Sequence, residues 1–209
     1  MAAIRTERGL DRLVNFSDAT VAIAITLLIL PLVDAASHIG DKPFGEFVDE
    51  NAWEIFAFVI SFAVIARFWV VHHRIFESVR DYNQWIVWFN FLWLFAIVII
   101  PFTANVLSAG VGERPEVYVL YISDMLLATL ATRLIGGALY RRPELMTEEA
   151  RINLDKTRGI AEVAIMALVL VLAIVFPAIN LWWLFLLFLA RPVHALLRRA
   201  VYGASQKAA

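Results

Sequence analysis

The stretch Arg12-Leu-Val-Asn-Phe-Ser-Asp-Ala-Thr-Val-Ala-Ile-Ala-Ile-Thr-Leu-Leu-Ile-Leu30 has the length of a bilayer crossing but carries a carboxylate, Asp18, inside it. An acidic side chain near the middle of a spanning helix costs about 2.5–3.5 kcal/mol on insertion scales and is tolerated where it faces protein or water. The segment therefore reads as part of a protein interior rather than as a lipid anchor.

The rest of the chain extends that reading. Of its 209 residues 61% are hydrophobic and 18% charged, and the mean hydropathy is +0.74, well above a soluble domain with about 45–50% apolar residues. Runs of about 20 apolar residues bounded by charges predict six spans, at 12–33, 52–73, 85–108, 117–140, 158–176 and 179–197, in one membrane domain covering 1–209. Pro31 and Asp34 close the first, Asp81 to Gln84 separate the second from the third, and Gly110, Gly112 and Pro115 break the third from the fourth. Arg141-Arg142-Pro143 ends the fourth, Pro177 turns the fifth into the sixth, and Arg191-Pro192 interrupts the sixth. The connection from Arg141 to Lys156 mixes both charge signs and is expected to hold a short surface helix.

Charge distribution sets an expected orientation. An even number of spans puts both termini on one side, together with Arg5, Arg8, Arg12, Arg74, Arg80, Arg141, Arg142, Arg151, Lys156, Arg158, Arg191, Arg198, Arg199 and Lys207, while the opposite loops hold only Lys42 and Arg114. The excess of positive charge predicts that this side, with both termini, is cytoplasmic. Arg67 and Arg133 fall within spans, toward the basic side, where long side chains snorkel. No secretory leader is recognised before the first span, which is expected to remain in the mature protein. The first external loop is acidic, with Asp34, Asp41, Glu46, Asp49 and Glu50 against Lys42, and such a loop can gather cations. With no cysteine, disulfides and thiolate metal sites are excluded. The basic residues are explained by topology and give no support for nucleic-acid binding.

Polar residues of several spans converge in depth. Arg12 and Asp18 in the first span, His72 and His73 at the end of the second, and Asn83 and Asn90 in the third all lie toward the basic side, where hydrogen bonds and opposite charge can satisfy Asp18. On a helical wheel with Phe16 at zero and about 100° per residue, Thr20 falls near +40°, Ile23 near −20°, Leu27 near +20°, Leu30 near −40° and Asp34 near 0°, whereas Asp18 falls near 200°. One stripe of the first helix is thus apolar with an acidic outer end. Thr20 lies on it and Thr26 on its flank, and their hydroxyls either meet a partly dehydrated ion or bond their own backbone.

The pattern Arg12-x-x-x-Phe16-Ser17-Asp18-x-x-x-Ala22-Ile23-x-x-Thr26-Leu27-Leu28-x-Leu30 resembles the first-helix signature of the transmembrane protein 175 potassium channels in their bacterial single-repeat form. Supporting elements are Phe68-Trp69-x-x-His72-His73-Arg74-x-Phe76, Asn90-x-x-Trp93-Leu94 and Pro101-Phe102-x-x-x-x-Leu107. The resemblance implies an all-α membrane protein with six transmembrane helices per subunit, assembled as a homotetramer around a central pore lined by the first helices, in a bacterial inner or plasma membrane. It implies a potassium-permeable cation channel without a Thr-Val-Gly-Tyr-Gly carbonyl filter, and no such filter occurs here. Ile23, Leu27 and Leu30 match the apolar constriction, with Thr20, Thr26 and Asp34 as further pore-facing candidates. Arg12, Ser17, Asp18, His72, His73 and Asn90 match a polar cluster that holds the first helix against its neighbours. The expected partners are further copies of the chain, membrane lipids and potassium ions, the last as permeant ion, with no cofactor.

Two other classes compete. A proton-coupled secondary transporter also uses membrane-embedded acids and histidines, but commonly with paired repeats, and the Phe-Ser-Asp element occurs once. Saturating flux coupled to a pH gradient distinguishes it from a pore. An intramembrane metal hydrolase built on His72, His73 and Asp18 is disfavoured because adjacent histidines on a helix diverge by about 100°. No His-Glu-x-x-His or Gly-x-Ser-x-Gly motif is present.

Overall fold

In the computed structural model, which describes residues 7–109, 114–152, 155, 157 and 159–205, the described chain is almost wholly helical. The helices are α1 (Glu7–Leu27), α2 (Leu30–Ser37), α3 (Phe44–Glu50), α4 (Ala52–Phe76), α5 (Gln84–Ala109), α6 (Pro115–Arg141), α7 (Glu148–Ile152), α8 (Ile160–Val175) and α9 (Ala190–Ser205). Short 3-10 turns occupy Pro143–Leu145, and a longer 3-10 segment runs over Pro177–Leu189.

Five stretches among the described residues are long and apolar enough to cross a bilayer: Arg8–Ser37, Ala52–Phe76, Gln84–Ala109, Pro115–Arg141 and Leu181–Arg199. The first four agree with the expected spans to within a few residues. The fifth expected span, 158–176, contains the 16-residue helix α8, about 24 Å long at 1.5 Å per residue against a hydrocarbon core of about 30 Å. The last begins as 3-10 and becomes α-helical at Ala190. Pro192 falls in the first turn of α9, just past the point where the 3-10 segment ends.

The leading span bends near Pro31. Helix α1 stops at Leu27, the chain turns through Leu28 and Ile29, and α2 restarts at Leu30 with Pro31 in its first turn. Ile29 N–H donates to Thr26 O at 3.4 Å across the break, and Arg8–Ser37 together form one stretch long enough to cross.

Helix α5 is the centre of the bundle. Its residues Ile86, Asn90, Trp93, Ile97, Ile100, Ala104 and Leu107 are all buried, a run of alternating four- and three-residue steps that forms one inward seam. The opposite face, Trp88, Phe91, Phe95, Val98 and Phe102, is exposed and equally apolar, so hydropathy alone does not separate core from perimeter here. Helix α6 presents Ala128 and Ala131, both fully buried, and small side chains of this kind let membrane helices approach closely. Helices α1 and α4 pack against α5, and α8 packs on α6.

At the basic end the connection after α6 clamps the α4–α5 turn. Leu145 O accepts from the N–H groups of Arg80 and Asp81 at 2.8 and 3.1 Å, and Thr147 N–H donates to Ser78 O at 3.0 Å. Leu145 and Met146 are buried beneath this clamp, and the short surface helix expected between Arg141 and Lys156 is α7. Of the two arginines expected to snorkel, Arg67 is exposed, and Arg133 extends toward the basic end, its guanidinium 5.7 Å from the centre of the Tyr140 ring. Gly159, at φ +81°, caps α8 from the left-handed region, and a Cβ there would lie 3.1 Å from Arg133 Cδ. Gly159→Ala is expected to lower stability by about 1–2 kcal/mol from backbone strain, read as a fall in the apparent melting temperature of the purified protein.

A small cluster ties α9 to the same end. His194 Nε2 lies 3.1 Å from Asp155 Oδ2, and the Thr157 hydroxyl and N–H both donate to Asp155 Oδ1, at 2.6 and 2.9 Å. Partial burial opposes ionisation of Asp155, but the bonds from Thr157 and the proximity of His194 outweigh it and hold the carboxyl below its usual range. A depressed folded-state value means that the tether is in place at neutral pH and is lost as pH falls through that value. Hydrogen exchange of α9 should accelerate on such acidification in the parent, and Asp155→Asn should remove that step.

Candidate functional site: the polar brace and the exposed stripe of the first helix

Helix α1 and the turn after it bury a narrow seam, Ser17, Val21, Ala24 and Leu28, spaced by four, three and four residues, and α1 packs against α4 and α5. On the wheel this seam is centred about 110° from the Ile23–Leu27 stripe. Asp18, at about 200°, lies on the seam's far edge and is half-buried.

Two polar strings hold the seam. In the buried one, Asn90 Nδ2 donates to Ser17 Oγ at 2.9 Å, and Ser17 Oγ in turn donates to Leu13 O at 2.8 Å. With the Asn90 amide nitrogen so used, its Oδ1 is the acceptor, and His72 Nε2–H donates to it at 2.7 Å. Ser17 and Asn90 are fully buried and His72 is 2% exposed. The His72 ring is sandwiched between Trp93, centroids 3.9 Å apart, and Phe76, 4.4 Å apart. Three helices are thereby joined through one amide.

The second string is half-exposed. Asp18 Oδ1 accepts from Trp69 Nε1 at 2.9 Å, the Trp69 ring stacks on His73 at 5.1 Å, and His73 Nε2 lies 3.4 Å from Glu77 Oε1. The two adjacent histidines thus face different surroundings, as their divergence on the helix requires, and no group of three metal-ligating side chains occurs among the described residues.

Of the residues expected to meet, Ser17, His72 and Asn90 share the buried string and Asp18 and His73 the half-exposed one, and two features differ from the expectation. Arg12 is exposed and outside both strings; at about −40° on the wheel it shares the side of Ile23 and Leu30, away from Asp18. A neutral indole, rather than opposite charge, satisfies the carboxylate. Asn83, which lies at the expected depth, caps α5 by accepting from Ile86 N–H at 3.0 Å.

The apolar stripe is open in the isolated chain: Ile23 is 61%, Leu27 41% and Leu30 55% exposed. It runs across the bend, with Ile23 and Leu27 on α1 and Leu30 opening α2. Thr20 and Thr26 hydroxyls donate to their own backbone, to Phe16 O at 2.8 Å and Ile23 O at 2.7 Å. Asp34 is exposed beyond the stripe, near a loop in which Lys42 is engaged by both carboxylate oxygens of Glu50 at 2.7 Å. That hydrogen-bonded pairing raises the Lys42 pKa.

A second polar knot lies about 20 Å along α5 from Asn90. Thr103 Oγ1 is 3.2 Å from Asp124 Oδ2, and Ser61 Oγ is 3.1 Å from Tyr121 Oη, all four residues buried. Asp124 was legible in the sequence by the same criterion that marks Asp18, a lone carboxylate within an apolar span.

Residues 12–101, which hold both strings and the stripe, match the family model described as the endosomal/lysosomal potassium channel TMEM175. Over these residues the chain resembles the TMEM175 channels. It is 36% identical to a potassium channel of Streptomyces collinus over 104 residues, 49% of each chain. It is 35% identical to a potassium channel of Chamaesiphon minutus over 98 residues, 46% of this chain and 48% of that protein. An endosomal/lysosomal proton channel TMEM175 of Gallus gallus is 20% identical over 143 residues, 68% of this chain and 28% of that protein. The matched sequence thus spans about half or less of these relatives. The crystal structure of a lysosomal potassium-selective channel TMEM175 homologue from Chamaesiphon minutus shares the fold, with a TM-score of 0.64 at 22% identity over 97% of this chain and 100% of that one.

The brace predicts a hierarchy of mutational costs. Asn90→Ala strands the buried Ser17 and His72 groups and is expected to cost about 1–3 kcal/mol, lowering the melting temperature more than Trp69→Phe, which removes one bond from an Asp18 that is only half-buried. Thermal unfolding of the two variants and their double mutant checks the order.

Proposed function

We propose that this chain forms a potassium-permeable cation channel, and is not an enzyme, with its conduction path along the exposed stripe of α1 and α2. The observation that carries the reading is the division of the leading helix. One side is fixed by buried hydrogen bonds to α4 and α5, while Ile23, Leu27 and Leu30 stand free on another, in a segment matched by a potassium-channel family model.

A single stripe cannot enclose a pathway, so the proposal requires copies related by closed rotational symmetry, a homotetramer by resemblance. Ala19, Ala22 and Thr26, exposed beside the stripe, are small enough for neighbouring helices to approach. Rings of Ile23, Leu27 and Leu30 then make an apolar neck that excludes hydrated ions by dewetting until it widens. Thr20 and Thr26, whose hydroxyls are engaged with backbone, flank the neck as secondary candidates. Asp34 enriches cations at the outer mouth. Ser17, Asp18, His72, His73 and Asn90 brace each subunit, and Arg12, on the stripe side, finds its partner in another copy. The remaining elements of the reading are one six-span domain over 1–209, both termini in the cytoplasm, a multi-pass position in a bacterial inner or plasma membrane, and no cofactor.

The experiment is ion flux in proteoliposomes under a potassium gradient, compared with sodium and choline and with a pH dye reporting protons. Leu27→Asn wets the neck and is expected to raise potassium flux at least several-fold with assembly intact. Parent-like flux in Leu27→Asn and Leu27→Ala, with a cysteine at the position inert to pore-entering reagents, overturns the lining. Saturating flux that requires a pH gradient instead identifies a proton-coupled transporter, and proton current without potassium current identifies a proton channel.

A further inference from the structure

A groove of about 760 Å3 opens between α5 and α6 at the basic end of the bundle, away from the α1 stripe. Its floor is apolar where it runs into the membrane-spanning part, at Phe89 and Leu134. Its mouth is cationic. Arg141 and Arg142 stand exposed at the end of α6, and Arg133, rooted two turns deeper, reaches the same place.

The local packing explains how Arg133 gets there. Its guanidinium lies over the Tyr140 ring, and its Nη1 would be 3.2 Å from a Cβ at Gly137. The glycine leaves the channel along which the side chain runs toward the helix end. No carboxylate lines the groove, and none of the three arginines forms an ion pair with an acidic side chain among the described residues. Trp85 borders the mouth and is 64% exposed, in the position of an interfacial aromatic.

We propose that this groove seats an anionic phospholipid, its phosphate held by Arg133, Arg141 and Arg142 and an acyl chain laid over Phe89 and Leu134. The charge complementarity selects an anion, because three guanidiniums without a counter-ion in a concave site favour a phosphate with no compensating cation. The apolar floor selects a lipid over a free anion, since an inorganic phosphate leaves Phe89 and Leu134 uncovered. A zwitterionic headgroup is disfavoured because it brings a quaternary ammonium toward the same three charges. This assignment goes beyond ion conduction and does not depend on it.

The test is lipid retention rather than current. The full chain is reconstituted into vesicles of equal phosphatidylglycerol and phosphatidylcholine, extracted gently, and the lipids retained by the intact protein are counted by native mass spectrometry. The parent is expected to retain phosphatidylglycerol in clear excess. Arg141→Gln with Arg142→Gln, both at exposed positions, should reduce that excess by about fivefold per guanidinium removed, and adding Arg133→Gln should bring retention to parity. Arg74→Gln with Arg80→Gln, which removes the same charge from the same end outside the groove, should leave the excess in place. Equal retention of the two lipids by the parent, unchanged preference in the Arg141/Arg142 pair, or an equal loss in the Arg74/Arg80 pair overturns the site, the last by showing diffuse attraction to the basic surface.

Discussion

One side-chain amide organises the leading half of this protein. Asn90 is buried in a helix whose other seam residues are almost all apolar, and an amide so placed must find partners for both its oxygen and its nitrogen. It finds them on two different helices, Ser17 of α1 and His72 of α4. In hydrocarbon, where apolar packing alone gives little preference for one helix face over another, such bonds fix rotation about the helix axis. The rotation of α1 is what puts Ser17, Val21, Ala24 and Leu28 inward and leaves Ile23, Leu27 and Leu30 outside.

The aromatic surroundings make the brace rigid as well as satisfied. His72 is clasped between Trp93 and Phe76, and Trp69 both stacks on His73 and donates to Asp18. The half-buried Asp18 carboxylate is met by an indole N–H rather than by a cation. The arrangement separates two tasks on one helix. The side with polar anchors is held, and the stripe of Ile23, Leu27 and Leu30 on another side stays exposed.

The same logic of unequal faces recurs at the other end of the sequence. Helix α6 packs on α5 and buries Ala128 and Ala131, yet at the basic end the two helices leave a groove with three arginines at the mouth. Glycines at 137 and 159 give Arg133 its path, so the position of a charge rooted inside a span is set by what its neighbours lack. Backbone clearance and the Tyr140 ring together set where the guanidinium rests.

By itself the sequence determined the membrane class, the four leading spans, the convergence of Asp18, His72, His73 and Asn90 at one depth and the resemblance of its first half to the TMEM175 channels, because hydropathy, span length and a dense local motif are all written in one dimension. Only the tertiary structure decided which of those polar groups touch. Asp18 turned to Trp69 instead of Arg12, Asn83 became a cap, Asp124 joined Thr103, and α8 came out as a 16-residue helix where a longer span was expected. The physical reason is that apolar residues cover both faces of these helices, so periodicity does not fix their rotation. Rotation is settled by the few hydrogen bonds and small-residue contacts that neighbouring helices supply once they are packed together.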